Sequence, residues 1–255
     1  MSLTSQNFLS TSSTFVGLAN YQRAIAEPDF YNSIVNSLVF TYVGSLLQIA
    51  VGTAFALTLM PRLRGIGAAR GAMLFSYAVP LVVSVALFKW IFSETFGIVN
   101  YFLLRLKLVS VPIAPFADPK YAMLVTILVG VWHLTPFAAM LILSRLLTIP
   151  TEQYEAAQID GASRINSFIH VTLPNLRSVL VVVFLIRSIW MFRLFDLGWL
   201  LTQGGPVKST EVLPILSYVT TVQSLDLGMG STYAMLLFAI IFAISMIYVY
   251  LTSEK

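Results

Sequence analysis

Five stretches of this chain are apolar for long enough to cross a lipid bilayer, and that constraint governs how it can fold. A spanning helix needs about 20 mostly apolar residues, and residues 34–60, 71–92, 121–147, 177–201 and 231–251 each reach that length. The sequence therefore predicts an all-α integral membrane protein with five transmembrane helices. Gly44, Ser45, Gly52 and Thr53 in the first stretch are small enough to let neighbouring helix backbones approach in lipid. Pro80 and Pro136 fall inside stretches, where each removes a backbone hydrogen bond and is expected to kink its helix.

Composition agrees. The chain is 58% hydrophobic and 10% charged, with a mean hydropathy of +0.85, whereas a soluble domain carries about 25% charged residues. A net charge of +4 on such a chain reads as topology-setting Arg and Lys, not as a surface for nucleic acid. The absence of cysteine excludes disulfides, thiol catalysis and thiolate metal sites. His133 and His170 lie far apart in sequence, so no metal site is expected.

Residues 61–70 carry Arg62, Arg64 and Arg70 and no acid, which places this short loop in the cytoplasm. Alternation then puts 93–120 outside, 148–176 inside, 202–230 outside and the tail Thr252–Lys255 inside. By the same count, residues 1–33 form an extracytoplasmic segment ahead of a membrane domain over 34–255. That segment has no basic and apolar signal pattern. Either the first span exports its own N-terminus, or a sixth, N-terminal helix is missing from this sequence; the second is the expectation.

The most informative polar segment is 150–174, between the third and fourth spans. Pro150 ends one span and Thr151 is the expected N-cap of a short helix. Glu152 and Glu155 are placed in its first turn, where the helix dipole favours acids, and Gly161 stops it. Ala156, Ala157 and Asp160 line one side, and the two alanines permit close approach by another protein's backbone. Ser163 is positioned to cap a second helix over about 164–172, after which Leu173-Pro174 opens the next span. The prediction is a helix–Gly–helix elbow on the cytoplasmic face, with Glu155 free to pair with a partner's Arg or Lys. An amphipathic helix pair resting on lipid is the plain alternative.

Glu155-Ala156-Ala157, then Gly161, then Val171, Leu173 and Pro174 fill the spacing EAA-x3-G-x9-[I/V]-x-LP. This resembles the cytoplasmic coupling loop of bacterial ABC importer permeases. The stretch Phe195-Asp-Leu-Gly-Trp-Leu-Leu-Thr-Gln-Gly-Gly-Pro206 and Trp132-His-Leu-Thr-Pro-Phe137 are similar to the carbohydrate-type permeases, which handle maltose, trehalose, other oligosaccharides and glycerol 3-phosphate. The likeness runs from about Phe15 to residue 250. It implies a second, homologous permease, two ATPase subunits that use ATP and Mg2+, and an extracytoplasmic solute-binding protein, all serving a multi-pass subunit of a prokaryotic cell membrane. It implies no cofactor on this chain and no catalytic residues of its own. Such permeases usually carry a further helix before a segment like Phe15–Tyr21.

Charges inside a span are costly, so Arg187, Arg193 and Asp196 should face protein or water. Arg193 and Asp196 are spaced to meet on one helix face. Trp132, His133, Phe192, Arg193, Asp196 and Trp199 are the candidate contacts along a substrate pathway, because aromatic faces with polar neighbours suit sugars. A structural ion pair and an interfacial aromatic girdle are the plainer readings of the same residues. Asp196 beside Arg193 leaves little uncompensated charge, which favours a neutral sugar over a charged solute. Gly204-Gly-Pro-Val-Lys208-Ser-Thr210 imitates a phosphate-binding loop, but Val207 stands where that motif needs Gly, so it reads as a turn. Lys89 is expected to snorkel to an interface.

Two other classes compete. An ion-coupled secondary transporter would need intramembrane acids and repeats, and Asp196 is the single acid that qualifies. A membrane-embedded enzyme would need clustered His, Asp, Glu or Ser near the spans, whereas the acids here are scattered through loops.

Overall fold

The structure is a computed structural model and describes residues 1–7, 13–60 and 65–253. Pro61, Arg62, Leu63 and Arg64 of the arginine-rich loop lie outside the described residues, as do Glu254 and Lys255 of the tail. The described chain is almost entirely helical. A two-stranded antiparallel hairpin, β1 (Thr4–Ser5) with β2 (Thr14–Phe15), opens it. There follow α1 (Ala19–Ala26), α2 (Pro28–Leu59), α3 (Ile66–Ala78), α4 (Leu81–Ile91), α5 (Ile98–Arg105) and α6 (Pro119–Leu146). The remainder comprises α7 (Thr151–Ile159), α8 (Arg164–Ser167), α9 (Leu173–Phe192), α10 (Asp196–Thr202), α11 (Leu213–Tyr218) and α12 (Leu227–Ser253), with π-helical turns at Phe168–Thr172 and Val219–Gln223.

Four helical segments are long and apolar enough to cross a membrane: Pro28–Leu59, Pro119–Leu146, Arg164–Phe192 and Leu227–Tyr250. The fifth predicted span, 71–92, is two helices, α3 and α4, which count as one span only as a broken pair. The cause is local. Val79, pushed by the ring of Pro80, is extended at φ −68°, ψ 129°, as expected of a residue before proline. Pro136, by contrast, lies within α6, which continues through it. The first span begins earlier than predicted, because Pro28 fits a first helical position and Asp29 follows in the first turn. The fourth span also departs from expectation. It starts at Arg164 and its helix ends at Phe192, with α10 a separate short helix.

The described residues divide into two compact units. One comprises Met1–Gly44, Leu81–Gly130 and Ile189–Lys255, with a core of Ala24, Phe30, Phe192, Leu213, Met229 and Tyr233. Its N-terminal segment is folded against the start of α12: Gly228 N donates to Gln6 O, Arg23 pairs with Asp226 at 3.2 Å, and Tyr233 OH donates to Glu27 at 2.6 Å. In the same unit a polar face of α2 holds the Gly-Gly-Pro segment. Asn32 and Asn36 both donate to Lys208 O, Asn36 also to Glu211 O, and Lys208 pairs with Asp29. Ser33 donates to Glu211 and Ser37 accepts from Leu213 N. The segment is a clasped turn, as its sequence indicated. Burial raises the Glu211 carboxyl above the usual carboxylate range, against the nearby Lys208 charge.

The other unit comprises Ser45–Pro80 and Val131–Ser188, with a core of Ala56, Leu59, Ile142, Leu146, Ile149 and Leu176. Helices α2 and α6 touch closely there. A Cβ on Gly52 would stand 3.2 Å from Ala139 N and 3.4 Å from the Ala138 Cβ, the close approach that small residues allow in lipid.

Candidate functional site

The segment 150–174 folds as a braced helix pair. Pro150, at φ −59°, ψ 135°, occupies the N-cap position of α7 and offers no side-chain bond. Thr151 is thus the first helical residue, one place inside the cap expected for it. Of the two acids placed in the first turn, Glu152 is there and Glu155 follows in the next turn. The stop is as read: Gly161 adopts φ +77°. Gly161 N donates to Gln158 O at 3.0 Å and Ala162 N to Ala157 O at 2.9 Å, the paired bonds of a Schellman closure. Ser163 caps α8 by accepting from Asn166 N at 3.2 Å.

Helix α9 opens at Leu173, as expected, but no break in the helical run precedes it. From Arg164 the helix runs into the span through a π turn, where Leu173 N reaches back to Phe168 O. Pro174 has no N–H with which to continue an α ladder, and the π turn lies immediately before it, a single wide turn inside the helix. Asn175 supplies a substitute, donating from Nδ2 to Val171 O at 2.8 Å and to Gln153 Oε1 at 2.8 Å.

Four further residues that the sequence reading did not single out brace this pair. The Tyr154 hydroxyl meets Thr172 Oγ1 at 3.0 Å, and Arg145 donates from Nε to Asn175 O at 3.1 Å. The first bond, with that of Asn175 to Gln153, holds α7 against the root of α9, and the second ties α6 to the same root. Much of the surface of the pair is open. Glu152, Glu155, Ala156, Asp160 and Gly161 are exposed, Ala157 is half-buried, and Leu173 and Pro174 are exposed. A groove of about 610 Å³ is lined there by Ala156, Ala157, Asp160, Gly161, Asn166 and His170, among others. Ile159 and Ile165 stand 86% and 70% exposed beside it, large apolar side chains that favour cover by another surface.

Within the spans, Arg187 is fully buried. Its Nε donates to Gln48 Oε1 at 2.6 Å, and its guanidinium carbon lies 5.8 Å from the centre of the Phe137 ring. Tyr77 stands 6.3 Å from His133 and 6.1 Å from Phe137, ring centre to ring centre. His133 is thus part of a buried polar and aromatic cluster, whereas Trp132, one residue earlier, is 43% exposed on another face of α6. Phe192 is buried in an apolar core. The expected Arg193–Asp196 pair does not form. Helix α9 ends before Arg193 and Asp196 opens α10, so the two share no helix face, and both are exposed. Trp199 packs with Phe195 and Tyr218 at centroid distances of 5.6 and 4.7 Å. Among the described residues no group of His, Asp and Glu could hold a metal ion.

Long apolar helices that carry a capped, braced helix pair define a multi-span membrane protein with an ordered polar element between two spans. The chain belongs to the family of binding-protein-dependent transport system inner membrane components, which matches residues 48–254, and it is an ABC importer permease. It is 35% identical over 234 residues to the trehalose/maltose transport system permease protein MalF of Thermococcus litoralis, covering 92% of this chain and 78% of that one. It is 33% identical over 238 residues to the diacetylchitobiose uptake system permease protein DasB of Streptomyces coelicolor, covering 92% and 72%. In fold it is similar to a chain of a bacterial ABC transporter that imports the acidic polysaccharide alginate, with a TM-score of 0.82, 18% identity and coverage of 94% and 84%.

Proposed function

We propose that this permease forms half of the translocation path of an ATP-driven importer for a sugar or sugar-derived solute, and that the 150–174 helix pair is where an ATPase subunit docks. The observation that carries the docking is an element braced from behind and open in front. The Tyr154 hydroxyl holds α7 to the π turn at the root of α9, while Glu155, Ala156 and Ile159 of α7, Asp160 at its end and Ile165 of α8 are exposed. A displacement applied to such a rigid element passes into the span it is bonded to. The sugar assignment rests on the relatives, whose names specify trehalose, maltose and diacetylchitobiose. The balance of charge no longer contributes to it, because Arg193 and Asp196 are separate.

On this reading, the partners are a second permease, two ATPase subunits that bind ATP and Mg2+, and an extracytoplasmic binding protein. This chain is not itself catalytic. The helix pair lies in the cytoplasm and residues 1–33 on the outer side. Trp132 and His133 on α6 remain proposed solute contacts, and so, separately, do Arg193, Asp196 and Trp199.

Co-expression with the cognate ATPase tests the docking. Glu155→Lys, which reverses an exposed charge, and Gly161→Pro, which prevents the φ of +77°, should each abolish co-purification of the ATPase while the permease still reaches the membrane. Unimpaired assembly with both changes would sink the proposal. Ligand retained by the binding protein encoded beside this chain identifies the solute.

A further inference from the structure

Between α4, the second helix of the broken pair, and the start of the candidate span α6 the chain makes an excursion, residues 92–118. It is a built element. Asn100, 2% exposed, donates to Ser93 O at 3.1 Å and Ile113 O at 2.8 Å, and accepts from Ile113 N at 2.8 Å. One side chain thus ties both ends of the excursion to α5. The face of α5 opposite Asn100 carries Ile98, Tyr101, Phe102 and Arg105, at the i, i+3, i+4, i+7 spacing of a single helix stripe. The three apolar members are 45%, 51% and 53% exposed. Leu106, Leu108 and Val111 continue the exposed apolar surface at 64%, 66% and 68%.

A helix facing water shows the reverse pattern. Arg105, whose Nη1 donates to the Tyr101 hydroxyl at 2.7 Å, and Lys107 supply positive charge at the end of this stripe. Within 92–118 the two acids, Glu94 and Asp118, stand near the ends, and the two basic residues, Arg105 and Lys107, sit together at the end of the stripe.

We propose that α5 and the segment to Val111 lie in the bilayer interface, with Ile98, Phe102 and Leu108 in the acyl boundary and Arg105 and Lys107 on acidic phospholipid headgroups. Apolar residues beside Arg and Lys on one surface are the chemistry of interfacial helices. Basic residues near a membrane surface are attracted to anionic lipid. The neighbouring ends of α4 and α6 also carry exposed apolar side chains, Leu87, Trp90, Tyr121 and Leu124, which need the same kind of cover. A soluble binding protein fits less well. It docks and leaves, and the apolar face would stand in water between cycles, whereas lipid covers it throughout.

The chain has no cysteine, so Phe102→Cys and, as a water-facing control, Val207→Cys (89% exposed) give unique nitroxide positions in this chain. The complete importer, with cysteine-free partners, is reconstituted into phosphatidylcholine vesicles and into phosphatidylcholine–phosphatidylglycerol vesicles. The label at 102 should collide with oxygen several-fold more than with a water-soluble nickel chelate, and the label at 207 the reverse. Equal nickel access at both positions overturns the proposal. So does a label at 102 that is open to nickel alone and shielded when binding protein is added, which would mark a docking surface instead. Phosphatidylglycerol should raise transport several-fold in the unmodified complex and not in the Arg105→Gln/Lys107→Gln variant. An undiminished response in that variant overturns the headgroup assignment.

Discussion

Arg187 shows what a single residue can hold in place. A guanidinium inside the membrane is costly unless it is hydrogen-bonded and shielded, and here Gln48 and the Phe137 ring contribute to that environment. Hydrogen bonds to charged groups contribute about 1.5–3 kcal/mol. Gln48→Leu should therefore lower the thermal midpoint of the solubilised permease complex by several degrees, read by loss of monodispersity on heating. Gln48→Glu, which keeps an acceptor there, should be milder. Sequence could say that Arg187 needs a partner but not which, because Gln48 lies 139 residues away. Arg193 and Asp196 were misread for a related reason: spacing of three means proximity only if one helix carries both. Glu211 offers a pH-dependent readout. Its pKa is raised by burial, so folding binds the proton more tightly than the unfolded chain does. Its contribution to stability is fully present below the ordinary carboxylate range and is lost as pH rises through the elevated folded value. Melting of the complex across that window should show this fall, and Glu211→Gln should flatten it.

At the scale of elements, the loop between α6 and α9 was the most legible part of the chain because its punctuation is local. Gly161 and Ser163 act where their chemistry requires, one supplying a positive φ and the other a hydroxyl. The cap at Pro150 was missed by one residue, since a proline with extended ψ serves as the boundary itself. The π turn and the brace were not legible. Both depend on how α7 meets the root of α9, a tertiary fact. Tyr154→Phe removes the hydroxyl that meets Thr172, worth about 0.5–1.5 kcal/mol. The ATPase should still bind this variant, while solute transported per ATP hydrolysed falls. Unchanged coupling would show that the brace is passive. The break at Pro80 was half legible: proline signalled a disturbance, but hydropathy averaged over 71–92 cannot distinguish a kink from two helices.

For the whole molecule, the number of spans follows from length and apolarity alone, which is why the all-α membrane class was readable. The ends of spans were not, because apolar and helical are different properties; α2 is helical through Asp29, Asn32 and Ser33, ahead of the apolar run. What fixes the packing is contact between backbones. Gly52→Val would force atoms into Ala139 and Ala138, and overpacking of this kind costs about 1–3 kcal/mol. Membrane yield and assembly with the second permease should both drop, whereas Gly65→Ala, at a position where a Cβ meets nothing within 4 Å, should reduce yield less, through backbone strain alone.

The uninterrupted helix from Arg164 to Phe192 has a mechanical meaning. Its 29 residues make a rod of about 43 Å at the usual rise per residue, and on the proposed docking its short arm is the one an ATPase would push. An elbow at Leu173 would have absorbed a push as bending. Without a joint, tilting the short arm swings the far end in proportion to its length, and the π turn, the rod's one irregular stretch, sits at the fulcrum of that lever.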